Sequence, residues 1–158
     1  MTTSRQRETA VVRCLVARGL FAASLALTGP VAAAPATQDI TFDDIKFEHR
    51  KGTPFRRSLL SDKIERLHGQ RIRIRGYILP SYQQDGITQF VLVRDNRECC
   101  FGPGAALYDC IFVEMAAGKS ISYTVRPVAV EGIFRIKPFL DPDGKTLAVY
   151  HLEGISVR

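Results

Sequence analysis

Apolar and polar positions change rhythm several times along this chain. From Gln70 to Pro80 they alternate strictly, with Ile72 and Ile74 on one side and Arg71, Arg73 and Arg75 on the other, the period of a half-buried strand. Ile87 to Arg94 is a second strand whose apolar centre, Phe90-Val91-Leu92-Val93, predicts cover on both faces. Cys110 to Met115 makes a third. Val125 to Lys137 makes a fourth, with Pro127 near its start marking an edge, and Leu147 to Val157 closes the set as a fifth. Gln84-Asp85-Gly86 and Asp141-Pro142-Asp143-Gly144 supply turns between them.

Just before the first strand the period lengthens. Leu60, Ile64 and Leu67 fall on one side of a helix of about two turns, with Ser61 placed as its N-cap and Gly69 placed to end it. Phe42, Ile45 and Phe47 are spaced too loosely to define an element, so residues 37–54 read as an edge strand or a tethered arm.

Three strands hold a glycine behind a charged residue: Arg75-Gly76-Tyr77, Glu131-Gly132-Ile133 and Glu153-Gly154-Ile155. Glycine weakens a strand unless the backbone needs it, and sharp coiling at the corner of a small closed barrel is such a need. Five strands and one short helix predict a mainly β fold, a small OB-like five-stranded barrel, with an SH3-like barrel or a small sandwich as competing topologies.

The amino-terminal region follows another logic. Arg5, Arg7, Arg13 and Arg18 precede a short apolar run, Gly19 to Leu27, and small residues from Val31 to Ala36 follow it. Charged, apolar, then small is the order of a secretory signal peptide. The run is about half the ~20 residues a membrane-spanning helix needs, so cleavage without a permanent span is the expectation. A cut after Ala36 avoids placing Pro35 next to the scissile bond. The organisation is then a signal peptide over 1–36, an amino-terminal arm over 37–54 and the barrel over 55–158, in a protein exported to the periplasm or the extracellular space. Cys14 leaves with the leader.

With 158 residues, 46 % of them apolar, the chain has material for one core. The formal charge is +6, of which the leader supplies half. The remaining surface is too nearly balanced for a nucleic-acid clamp, although Arg71, Arg73 and Arg75 with Tyr77, Tyr82 and Phe90 keep an OB-type oligonucleotide binder as one alternative. No nucleic-acid partner is expected in an exported protein.

Chemistry concentrates in the connection between the second and third strands, Asn96 to Gly104, which carries Cys99 and Cys100 and leads to Cys110. In an oxidising compartment one reading is a structural disulfide from Cys99 or Cys100 to Cys110, closing a loop of ~10 residues and contributing about 2–3 kcal/mol. An odd thiol then remains. A second reading is a soft-metal site in which Cys99, Cys100 and Cys110, joined by His151 or His68, hold zinc or copper. A third is a redox-active bond between Cys99 and Cys100.

Alternation also allows His151 to be a buried, hydrogen-bonded imidazole beside Leu147 and Val149. His68, at the helix end, suits the helix dipole as a cation. Asp95, Glu98 and Asp109 beside Arg94 and Arg97 read as solvated pairs. No Ser/His/acid set, phosphate-binding glycine loop or Cys-x-x-Cys pair argues for an enzyme or a catalytic cofactor.

At Gly76-Tyr77-Ile78-Leu79-Pro80, Phe90-Val91-Leu92-Val93 and Cys99-Cys100-Phe101-Gly102-Pro103 the sequence resembles an exported bacterial family designated domain of unknown function 3299. The resemblance runs from about Phe42 to the C-terminus. Members are small periplasmic or lipid-anchored proteins, some encoded beside ABC-type transport genes linked to zinc supply. The resemblance therefore implies a metal-handling accessory role and an envelope protein or ABC-type transporter as partner. One branch of the family places a histidine in the cysteine loop. Here Phe101 and Gly102 occupy that region, so only Cys99 and Cys100 map onto its pattern. The expected function is an exported binding or accessory module, acting through a soft metal or as a disulfide-stapled interaction module.

Overall fold

A computed structural model describes residues 36–50, 52–95 and 106–158. Among them lie six strands, β1 (Gln38–Ile40), β2 (Arg71–Ile78), β3 (Gln89–Val93), β4 (Cys110–Met115), β5 (Val128–Leu140) and β6 (Thr146–Val157), and one α-helix, α1 (Asp62–Leu67). The fold is mainly β, as the alternating pattern predicts.

Five strands hydrogen-bond in a ring. β2 pairs antiparallel with β3 and β3 with β4, β4 runs parallel to β6, β6 pairs antiparallel with β5, and β5 returns antiparallel to β2. The sixth strand, β1, lies parallel to β2 through Gln38 to Ile40.

The ring places one face of each strand inward. Ile72, Ile74 and Ile78 of β2, Ile111, Val113 and Met115 of β4, and Tyr150 and Leu152 of β6 meet there in one buried cluster. Each such side chain gains about 1.5–3 kcal/mol over an exposed one. Leu60, Ile64 and Leu67 join the same cluster, so α1 covers part of the core with the stripe its sequence predicts. Ser61 occupies the N-cap position, but its hydroxyl makes no capping bond; its carbonyl instead accepts the Glu65 N–H at 3.0 Å.

The segment over 37–54 contributes both β1 and a 3-10 turn at Phe42–Ile45. Phe42, Ile45 and Phe47 are all buried in the main cluster, and the Tyr150 hydroxyl donates to the Ile45 carbonyl at 2.6 Å. The spacing that conceals this segment in the sequence is that of a single 3-10 turn, which buries Phe42 and Ile45 one turn apart, followed by extended chain that buries Phe47.

β5 lies three residues further along than its sequence predicts, over Val128–Leu140 in place of Val125 to Lys137. The proline marking a boundary, Pro127, lies just outside it, whereas Pro138 lies within, where the β5–β6 register shifts between Ile136 and Phe139. A proline is tolerated at such an irregularity because no ladder donor is required there. Gly132 sits at another shift, between Glu131 and Gly132, and a Cβ on it would run into the Glu153 main chain. Close strand approach, together with the coiling, is what that glycine serves.

Candidate functional site

The face of β4 turned away from the core carries Cys110, Phe112 and Glu114, alternating with the inward Ile111, Val113 and Met115. Parallel pairing puts His151 of β6 opposite Phe112 and Glu153 opposite Glu114, and antiparallel pairing brings Arg135 of β5 opposite His151. Residues from three strands thereby share one outer surface.

Aromatic contact organises it. The rings of Phe112 and Phe139 stack at 5.0 Å and 4°, and the His151 ring lies 5.6 Å from Phe112 at 28°. Phe139 and its neighbour Leu140 remain 42 % and 53 % exposed, although both are large and apolar. Beneath them His151 is only 6 % exposed, and neither of its ring nitrogens makes a hydrogen bond. Nε2 lies 3.4 Å from a Glu114 carboxylate oxygen, an approach that becomes an ion pair if the ring is protonated.

Around this pair, Arg135 grips Glu153 with two bonds of 2.9 and 3.2 Å and Gln89 reaches Glu114 at 3.4 Å. The guanidinium beside it holds the Glu153 carboxyl below its ordinary range. The sequence predicts that His151 is buried, as found. The hydrogen bond expected with that burial is absent, because the ring packs flat against Phe112 instead.

Cys110 lies at the start of β4, 1 % exposed, in a second small cluster with Val93 and Ala148, against which Tyr77, Leu79 and Val91 pack. Its thiol is free. Among the described residues Cys110 forms no disulfide. Sγ instead lies 3.5 Å from the Leu147 carbonyl and 3.9 Å from that of Leu107, so Cys110 behaves as a small buried hydrophobe with a weak donor. Cys99 and Cys100 lie outside the described residues.

Zinc or copper is the metal that the cysteine loop and the family resemblance imply. Among the described residues no three His, Cys, Asp or Glu side chains gather as a ligand set, so Cys110 and His151 do not by themselves fit a metal ion. His68, the other candidate, accepts the Ile136 N–H through Nδ1 at 3.0 Å. That bond uses a neutral acceptor nitrogen, not the cation a helix dipole favours.

A second polar constellation was hidden in the sequence. Glu131 of β5, 6 % exposed, stands in register with Arg73 of β2. Its carboxylate accepts from Arg73 at 3.0 Å, from Arg71 at 2.8 Å and from the Thr37 hydroxyl at 3.0 Å. Arg73 also reaches Asp39. These bonds, the one from Arg73 foremost, hold the Glu131 carboxyl down to about 2. Arg71 and Arg73, on the polar side of the predicted strand, are thus committed to a buried partner on the neighbouring strand, while Arg75 stays exposed. Arg94 pairs with Asp43 at 2.8 Å and with Asp109 at 3.6 Å, which realises one of the loop pairs the sequence predicts.

Comparison with known proteins agrees with this architecture. A crystal structure of a DUF3299 family protein from Pseudomonas aeruginosa PAO1 superposes with a TM-score of 0.53 over 77 % of this chain and 95 % of the other, at 16 % identity, a likeness of fold. No curated protein matches the chain. The sequence profile described as "Protein of unknown function (DUF3299)" matches residues 27–158, which covers every described element. The chain belongs to the DUF3299 family.

Proposed function

We propose that this protein is an exported binding module of the bacterial envelope, and that it docks a protein partner, an envelope protein or a membrane transporter, through the outer face of β4, β6 and β5. One observation carries the reading. Phe139 and Leu140 stand exposed at the end of the β5–β6 hairpin, continuous with the Phe112 ring, while the inner face of the same strands already has a complete core. Apolar groups that the core does not use, rimmed by Arg135, Glu114 and Glu153, have the make-up of a small protein-contact patch.

Export rests on the charged, apolar and small order of the first 36 residues.

The test uses full-length protein expressed with its leader in a bacterial host and crosslinked in intact envelopes. The expected result is a defined crosslinked partner in the wild type that disappears in Phe139→Ser/Leu140→Ser while melting stays unchanged. Identical crosslinks from both proteins, or none from either, overturn the docking face.

A soft-metal role has one support, the free state of the Cys110 thiol at the end of the loop that carries Cys99 and Cys100. On that reading, anaerobically purified protein holds about one equivalent of zinc or copper that Cys99→Ser/Cys100→Ser abolishes. Metal-free protein whose melting is indifferent to added zinc removes the reading.

A further inference from the structure

Among the described residues, Thr37 is the first whose side chain is tied into the fold. Its hydroxyl donates to a Glu131 oxygen at 3.0 Å, across 94 positions of sequence, and the next residue, Gln38, opens β1 in register with Ile72. Ala36, one residue earlier, is exposed. Thr37, its side chain held by Glu131, thus stands directly after the cut expected at the Ala36–Thr37 bond. That is the bond which small residues at Ala34 and Ala36 mark for a signal peptidase.

From this coincidence, which rests on the exported reading, we infer that Thr37 is the mature amino terminus and that its new α-ammonium docks on the Glu131 carboxylate. The cut is a hydrolysis by a protease of the export system. Water adds across the Ala36–Thr37 amide, the leader departs with a carboxylate on Ala36, and the nitrogen stays on Thr37 as an ammonium.

Covalent geometry keeps that nitrogen within about 3.5 Å of its own Oγ1, the atom already bonded to Glu131. The surroundings are balanced. Arg71 and Arg73 lie on one side of the account, Glu131 and Asp39 on the other, so the added cation meets no net positive field. Glu131 also has the burial that gives such a pair strength, with its side chain 8 % exposed. In the precursor the same nitrogen is a neutral amide. Removal of the leader thus adds a charge where side chains of β2 and β5 and the start of β1 meet.

The experiment compares the exported, leader-processed protein with a chain matured one residue earlier, so that Ala36 carries the amine, and with Glu131→Gln. Intact mass of exported material is expected to start at Thr37. Its α-amine is expected to titrate at least about 0.5 pH unit above that of the Ala36-start chain, and Glu131→Gln is expected to remove the difference. The Ala36-start comparison leaves Glu131 in place, so it answers even if Glu131→Gln fails to fold. Full-length protein retained inside the cell overturns both export and docking. A Thr37 start whose amine titrates like that of the Ala36-start chain overturns the docking alone, and a mature end elsewhere overturns the assignment of the cut.

Discussion

Tyr150 and Ile45 are joined by a 2.6 Å hydrogen bond from hydroxyl to main-chain carbonyl, between residues 105 positions apart, inside the main core. Tyr150 is fully buried, and burial pushes its phenol well above the ordinary range. Tyr150→Phe keeps the ring and strands the carbonyl. The expected cost is about 1–3 kcal/mol, read as a lower urea midpoint at unchanged slope. An unchanged midpoint would mean that the bond contributes nothing net.

Glu131 predicts an acid limb. Its carboxyl titrates at about 2 in the fold against 4.5 as the ordinary value, so folding favours the ionised form. The associated stability is complete above the ordinary carboxylate range and is lost as pH falls from about 4.5 toward 2. Asp44, held to about 2 by Lys63 and Thr41, adds to the same limb. Melting temperatures at pH 7, 4 and 2.5 are expected to show Glu131→Gln less stable than wild type at neutral pH and to converge with it in acid. Parallel curves would contradict the assignment.

Two glycines separate backbone crowding from side-chain crowding. A Cβ on Gly154 would meet the Met115 sulfur at 2.7 Å, the far end of a flexible side chain, whereas on Gly132 it would meet the main chain of Glu153. Gly132→Ala is therefore expected to lose about 1–3 kcal/mol or more, and Gly154→Ala distinctly less. Chemical denaturation of the pair checks the order, and a larger loss at Gly154 would reverse the explanation.

Cys110 is expected to resist alkylation until the domain unfolds. Its reaction with iodoacetamide, followed by mass spectrometry through a urea series, should track the unfolding transition. Rapid labelling in native buffer would show that the cluster with Val93 and Ala148 opens on its own.

Local pattern made much of this architecture legible. Ile72 and Ile74 alternate with arginines because one face of β2 meets the core, and Leu60, Ile64 and Leu67 repeat at helical spacing for the same reason. What could not be read depends on partners distant in sequence. Nothing near Glu131 indicates Arg71 and Arg73, which only the β2–β5 register brings beside it. Phe139 lies past Lys137, where the fourth strand is predicted to end, and the chain continues through Pro138 only by the register shift between Ile136 and Phe139.

The candidate site was half visible. The burial of His151 follows from alternation on β6, but its Phe112 and Glu114 neighbours come from β4, a strand that meets β6 only through parallel pairing. The thiols of one connection invite a disulfide on paper. Cys110 instead faces Val93 and Ala148, and two main-chain carbonyls occupy its sulfur.

Because β6 bonds β4 on one edge and β5 on the other, it is the keystone through which the circuit of strands is completed. Until β6 is in place, β4 and β5 hold those two edges bare. Any truncation before Thr146 therefore leaves an open, adhesive sheet in place of the hydrogen-bonded ring.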